Sequence, residues 1–293
     1  MRLVRFGPRG AEKPGVLDND GRIRDLSAQV SDIDGSTLTP DVLTRLRSIN
    51  PTTLPIVINP VRLGACVANV PNLIAIGLNY SDHAAEANMA IPTEPVVFNK
   101  HTSSICGPND PLICPPESKK LDWEVEIAFV MGRPCWHVAT ADALNYVAGY
   151  FVCNDVSERE YQLEQGGQWT KGKSYANFAP IGPWLVTSDE IPDPQTLGLW
   201  LDVNGQRFQT GNTGKMIFGI AEIVSYLSHH MQLVPGDVVT TGTPPGVGMG
   251  KKPQIFLKVG DTVSLGIDGL GSQEQKVVAF SAGMVADFAI RLS

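Results

Sequence analysis

A mostly β, α+β fold is what the sequence of 293 residues predicts, on three observations. Candidate strands are short and are punctuated by glycine and proline, which number 29 and 22. Only one stretch keeps its apolar residues at helical spacing over several turns. Strands and helices do not alternate in the regular order that a doubly wound parallel sheet requires. Hydrophobic residues make up 43% of the chain, ample for a core, so a disordered polypeptide is excluded.

The elements follow in chain order. Residues 1–70 read as a small leading unit and 71–293 as the larger domain. Leu3 to Phe6 has strand character, and Val16-Leu17-Asp18 with Arg22-Ile23-Arg24 flank an Asn-Asp-Gly turn, the signature of a hairpin. Thr39-Pro40-Asp41 opens a short helix carrying Val42, Leu43, Leu46 and Ile49, which must end before Pro51. Three prolines between Pro51 and Pro60 make a loose connection. Strands are expected at Leu73–Ile76, Asp122–Val130, Tyr146–Cys153, Ile181–Val186 and Leu197–Val203. The long helix places Met216, Ile220, Ile223, Val224, Leu227 and Met231 on one face, and Pro235-Gly236 turns the chain into a strand at Val238–Thr241. The tail alternates strands with Gly-Asp and Asp-Gly turns.

Composition narrows the function. With 23 Lys+Arg against 30 Asp+Glu the net charge is −7, and no basic run offers a surface to nucleic acid or anionic membrane. No window holds the ~18 consecutive apolar residues of a membrane helix. Gly and Pro break the first fifteen residues before an apolar signal core could form. Five cysteines without a CxxC pair fit reduced, buried thiols, so a cytoplasmic location is expected.

The most informative stretch is Leu121-Asp122-Trp123-Glu124-Val125-Glu126-Ile127. On a strand, alternate side chains share a face, so Trp123, Val125, Ile127 and Phe129 lie opposite Asp122, Glu124 and Glu126. Like charges two residues apart repel, and a divalent cation is one compensation. Asp155, just after the apolar run Val147–Cys153, is a further ligand. An all-carboxylate set suits Mg²⁺, Mn²⁺ or Ca²⁺ rather than zinc. A solvated strand face with scattered acids is the competing reading.

His83 and Glu86 stand at i and i+3 on a short helix, where a carboxylate can orient an imidazole as a general base for water. An incidental ion pair on a solvated turn is the alternative. His229 and His230 belong to a helix end, where they meet its dipole. Arg159 and Gln162 are also at i and i+3, and Trp169-Thr170-Lys171-Gly172-Lys173-Ser174 follows, with a glycine permitting close backbone approach. Arg, Gln and Lys converging on one place are what an oxyanion or a carboxylate needs. The loop Thr241-Gly242-Thr243-Pro244-Pro245-Gly246-Val247-Gly248 is not a phosphate cradle. Pro245 occupies the first glycine position of a P-loop, Lys252 its Ser/Thr position, and Lys251 the third glycine of a dinucleotide fingerprint. A rigid turn presenting threonine fits better.

Taken in order, GLNYSDHAAE, FNK at 98–100, DWEVEIAFVMG, GYFVCNDVSEREYQ, WTKGKSY, PIGPW and VVTTGTPPGVG resemble the fumarylacetoacetate hydrolase family from about residue 70 to 290. The resemblance implies a mixed β-roll catalytic domain, a small N-terminal domain, and a homodimer or a dimer of dimers. It implies Mg²⁺ or Mn²⁺ on Glu124, Glu126 and Asp155, and a water-activating pair, His83 and Glu86, on a lid. Lys173 and Gln162 match its oxyanion contacts and Arg159 its substrate contacts; Lys100, Thr243 and Tyr80 match positions on the substrate side. Ala176 departs from the acid that the family often carries three residues after the lysine.

The activity implied is hydrolysis of the carbon–carbon bond of a 2,4-diketo acid. The stretches MRLVRFGPRGAEKPG, SSICGPNDPL and SKKLDWEVE resemble a bacterial group acting on 2,4-diketo-3-deoxy sugar acids of the L-rhamnonate or L-fuconate type, which yield pyruvate and lactate. Acylpyruvate hydrolysis and oxaloacetate decarboxylation or isomerisation are the enzymatic alternatives. A catalytically silent metal-binding homologue is the alternative of another class.

Overall fold

The computed structural model describes residues 1–58, 61–82 and 91–285. His83 and Glu86 therefore lie outside the described residues. The chain begins with strands β1 (Arg2–Phe6), β2 (Lys13–Leu17) and β3 (Ile23–Asp25), and then helix α1 (Pro40–Arg47). The expected hairpin forms, with Leu17 opposite Ile23 across the Asn-Asp-Gly turn. Next come β4 (Leu73–Gly77), β5 (Val96–Lys100), β6 (Ile105–Cys106), β7 (Leu112–Cys114), β8 (Leu121–Asp122), β9 (Val125–Met131), β10 (Val147–Asn154) and β11 (Ser157–Glu158). A single π-helical turn, Glu160–Glu164, and the short helix α2 (Thr170–Lys173) follow. The remainder is β12 (Ala179–Thr187), β13 (Gly198–Val203), β14 (Gln206–Asn212), α3 (Ile220–His230), β15 (Val238–Thr240), β16 (Thr262–Ile267) and β17 (Gly271–Ala279).

The strands form two principal sheets. The larger runs β3-β2-β1-β12-β10-β9-β15-β4-β5, with β6 added beside β12; the second runs β14-β13-β16-β17-β7, and β8 with β11 makes a two-stranded ladder. Residues 1–70 do not build a separate sheet: β1 pairs antiparallel with β12, which joins the leading hairpin to the central sheet.

Strand β9 is buried along its whole length, and its two faces serve different cores. Val125, Ile127, Phe129 and Met131 pack with the second sheet and α3, whereas Ala128 and Val130 pack with Leu3, Leu38 and Phe151 toward the leading segment. Helix α3 buries Ile220, Ile223, Val224 and Leu227 as the spacing required. It starts later than the apolar pattern implied, because Glu222 accepts the Gly219 N–H at 2.7 Å and fixes the helix start there, leaving Met216 in the preceding turn. His229 and His230 close it with ring Nδ1 atoms 2.7 and 2.9 Å from the carbonyl oxygens of Ser225 and Tyr226. All five cysteines are free thiols.

Candidate active site

The central sheet delivers three carboxylates to one point. In the antiparallel pairing of β9 with β10, Cys153 faces Glu126 and Asn154 faces Val125, so the residues just beyond that register, Glu124 and Asp155, meet at the strand ends. The Asp155 N–H donates to the Glu124 carbonyl at 2.9 Å, and Asn154 Oδ1 accepts the Glu124 N–H at 3.2 Å. One oxygen from each of Glu124, Glu126 and Asp155 lies within 4.8 Å of the others, and all three residues are buried.

Asp122 does not join them. The expected continuous strand is interrupted at Trp123 and Glu124, so strict alternation fails and Asp122 sits on β8 opposite Ser157. Its carboxylate accepts from Arg159 Nε at 2.9 Å and from the N–H groups of Gly248, Met249 and Trp123 at 2.7, 3.0 and 2.9 Å. Asp122 thus ties the glycine-rich loop to Arg159.

Three cations interleave with the acids. Lys173 Nζ donates to Glu124 Oε2 at 2.9 Å and Asp155 Oδ2 at 2.7 Å. Arg159 places Nη2 2.6 Å from Glu124 Oε1, and its Nη1 donates to Gln162 Oε1 at 3.0 Å. Lys100 Nζ is wholly enclosed, donating to Asp155 Oδ1, to the Phe178 carbonyl at 2.9 Å and to the Val156 carbonyl at 3.3 Å. Sequence brings these groups together through Gly172: a Cβ there would lie 2.4 Å from Gln162 N, so only glycine lets α2 rest on the π-helical turn.

The charges do not balance. Asp122, Glu124, Glu126 and Asp155 face Lys100, Arg159 and Lys173, and among the described residues Glu126 has no ion-pair partner, only the Gly242 N–H at 2.9 Å. Burial, then the neighbouring Asp155 and Glu124, push the Glu126 carboxyl well above the usual range. Burial pulls Lys173 down, but Asp155 and Glu124 outweigh it and its ammonium is held charged. Arg159 is likewise raised, Asp122 and Glu124 overcoming the cost of its burial. With Glu126 ionised the set carries one excess negative charge, and an oxygen-only donor set of that kind fits a hard divalent cation.

These groups line a cavity of about 90 Å³ that also receives Gln162, Thr243, Phe98, Trp169, Leu163 and Met249. A larger groove of about 880 Å³ between residues 114–119, 254–259 and 279–280 has no acid in its lining. Of the residues singled out by sequence, Glu124, Glu126, Asp155, Arg159, Gln162, Lys173 and Thr243 reach the cavity. Lys100 is not among its lining residues. The Lys100 ammonium donates to protein oxygens and braces Asp155 from behind. Tyr80 is also fully buried and not part of the lining, its hydroxyl without a partner among the described residues. Thr243 Oγ1 donates to the Val125 carbonyl at 2.9 Å and accepts from Gln209 Nε2 at 2.8 Å, so its hydroxyl proton is committed. Sequence reasoning missed Gly242 as the Glu126 partner and the apolar wall of Phe98, Trp169, Leu163 and Met249. No local spacing links these residues.

Residues 72–278 match the family model described as fumarylacetoacetate (FAA) hydrolase C-terminal. A Burkholderia ambifaria protein named in general terms as a hydrolase is 63% identical over 276 residues, 94% of this chain and 98% of that protein. A fumarylacetoacetate hydrolase structure from Exiguobacterium antarcticum is similar at 34% identity and TM-score 0.82, covering 96% of this chain and all (100%) of the other. Maleylpyruvate hydrolase from Sphingobium sp. SYK-6, solved in complex with manganese(II) ion and pyruvate, is similar at 29% identity and TM-score 0.80, with 96% and 100% covered.

Proposed function

The chain belongs to the fumarylacetoacetate hydrolase family, and on that premise we propose that it hydrolyses the carbon–carbon bond of a small 2,4-diketo acid, releasing pyruvate and a second carboxylic acid. The observation that carries the reading is the buried Glu124–Glu126–Asp155 cluster with Lys173, Arg159 and Gln162 on the same cavity. The three carboxylates would hold Mg²⁺ or Mn²⁺, which when bound supplies Lewis-acid stabilisation of negative charge on the substrate.

The chain's own groups divide the remaining work. Arg159 donates to Gln162 Oε1, which leaves the Gln162 amide NH₂ as donor toward the substrate. Lys173, charged and buried, stands beside it. Together they would stabilise the oxyanion formed when water adds to the C4 carbonyl. His83, with Glu86 three residues on in the sequence, is the base assigned to take the proton from that water. The C3–C4 bond then breaks, its electron pair passes to C3 as the enolate of the pyruvate half, and a proton returned to C3 completes pyruvate. The C4 fragment leaves as a carboxylate. The L-rhamnonate- or L-fuconate-derived diketo acid expected from the sequence fits this scheme with lactate as the second product.

A second reading, isomerisation or decarboxylation through the same enolate, draws on a similar Mycobacterium smegmatis structure described as 5-carboxymethyl-2-hydroxymuconate delta-isomerase, 32% identical at TM-score 0.74 with 96% of this chain and 100% of that one covered. The test is decay of enol absorbance for a panel of 2,4-diketo acids, with pyruvate counted independently and EDTA as control. Hydrolysis predicts one pyruvate per substrate and loss of turnover with EDTA. Absorbance loss without pyruvate favours isomerisation. Turnover that survives EDTA sinks the metal assignment, and no turnover of any diketo acid sinks the enzymatic reading.

A further inference from the structure

Strand β15 runs beside β9 only as far as Ala128, which faces Thr240. Past that point no strand among the described residues flanks this edge of β9, and its backbone groups need other partners. Side chains supply them. Thr241 Oγ1 donates to the Ile127 carbonyl at 2.8 Å, Thr243 Oγ1 donates to the Val125 carbonyl at 2.9 Å, and Gln209 Oε1 accepts the Val125 N–H at 3.0 Å. The other end of the Gln209 amide is also engaged: Nε2 donates to Thr243 Oγ1 and to the Pro244 carbonyl, both at 2.8 Å.

Packing alone does not account for a glutamine at that place. Gln209 is the one buried position of β14, whose other residues are exposed or half-buried. An apolar side chain would fill such a site without cost, whereas a buried amide has to be compensated. Strand β17 repeats the choice: of its buried positions Gln273, Gln275 and Val277, two are glutamine. Gln275 Oε1 accepts from Asn154 Nδ2 at 3.0 Å, while Gln275 Nε2 donates to Gln273 Oε1 at 3.0 Å and to the Pro108 carbonyl. Asn154 Oδ1 in turn accepts the Glu124 N–H. Both peptide groups flanking Glu124 are therefore held by side-chain amides, the one before it by Asn154 and the one after it by Gln209. Glu124 lies in the irregular stretch between β8 and β9, where the regular ladder is interrupted.

Resting on the metal reading of the carboxylate cluster, we propose that Gln209 and the Asn154–Gln275 pair are positioning residues for Glu124. They fix the backbone on either side of it, and so set where its carboxylate stands relative to Glu126 and Asp155 and how tightly the three hold a divalent cation. The second sheet, which contributes β14 and β17, thereby shapes a site whose carboxylates all come from the first sheet and its strand ends.

Gln209→Met and Gln275→Met keep the side-chain length and remove the amide. Calorimetric titration of the full chain with Mn²⁺, at a temperature where circular dichroism shows each variant folded, should find binding weaker by about 10–100-fold for Gln209→Met and about ten-fold for Gln275→Met. The zero-field splitting of bound Mn²⁺ in electron paramagnetic resonance should change in both. Ser228→Ala is the control. Its buried hydroxyl donates to the Ser225 carbonyl at 2.7 Å and accepts the Val138 N–H at 2.9 Å, so its loss should lower the melting temperature and leave Mn²⁺ affinity and spectrum as in wild type. The two glutamines lie on different strands, so a folding failure of one variant leaves the other to decide. Wild-type affinity and spectrum in folded Gln209→Met and Gln275→Met overturn the inference and leave the metal site standing. Failure of the wild-type chain to bind Mn²⁺ overturns both together.

Discussion

Replacing Gly172 with alanine is the sharpest test of how the site is held together. The new Cβ would lie 2.4 Å from Gln162 N and 2.6 Å from both Gln162 Cα and Cβ, contacts with backbone that cannot swing aside. About 1 Å must be recovered to reach ordinary contact, and the short helix α2 has to supply it. Lys173 is the next residue, and its ammonium now lies 2.7 Å from Asp155 and 2.9 Å from Glu124. A shift of that size takes both contacts to the edge of hydrogen bonding and moves Gln162 in the opposite sense. Overpacking should cost about 1–3 kcal/mol, and a misplacement of about 1 Å at an oxyanion contact should cost on the order of 10²-fold in kcat. Gly35→Ala supplies the control: its Cβ would lie 2.2 Å from the Pro235 carbonyl oxygen, away from the cavity. Both variants should melt lower in a thermal scan, but only Gly172→Ala should lose kcat in the diketo-acid assay. If Gly172→Ala keeps kcat within about three-fold while melting lower, Lys173 and Gln162 are not the oxyanion contacts.

Three further outcomes follow from the charge network. Asp122→Ala should destabilise by about 3–5 kcal/mol in denaturant titration, because it strands Arg159 and frees the loop amides of Gly248 and Met249; a change under about 1 kcal/mol would show that the loop anchors itself. Lys100→Met should weaken Mn²⁺ binding by about 10–100-fold through Asp155 while leaving the substrate KM near wild type at saturating metal. A KM that rises with metal affinity intact would return Lys100 to the substrate. Glu126 has a raised pKa, so the metal-free fold holds a proton that the unfolded chain releases earlier. Its contribution to stability is complete below the ordinary glutamate pKa and is lost as pH rises through the raised one. Melting of metal-free protein should therefore decline across that window more steeply than in Glu126→Gln, and Mn²⁺ should restore wild type only. Parallel pH profiles for the two proteins would refute this.

What could be read from sequence was the local part. The i, i+3 spacing of Arg159 and Gln162 became a direct hydrogen bond of 3.0 Å, because a helical turn of any kind brings those positions together. The Asn-Asp-Gly hairpin and the apolar face of α3 follow from equally short-range rules. Alternation also separated Val125, Ile127 and Phe129 from Glu126 correctly, since β9 is regular there. It failed at Asp122, where two residues of irregular backbone intervene between β8 and β9 and the period of 2 no longer applies.

Lys100 illustrates the deeper limit. It contacts Asp155, 55 residues away, although β9, β15 and β4 stand between β10 and β5 in the sheet, and no spacing in the chain encodes that meeting. Counting the donors of Lys100 places them on Asp155, Val156 and Phe178. Among the described residues the same counting leaves Glu126 with a single amide donor. Three acids within 4.8 Å would be read as a metal site on proximity alone, but proximity is equally satisfied by acids neutralised by lysine and arginine. Glu126, which has no ion-pair partner among the described residues, is what separates the two cases. Neutralising it should therefore remove metal binding while leaving the Lys173 and Arg159 pairs in place.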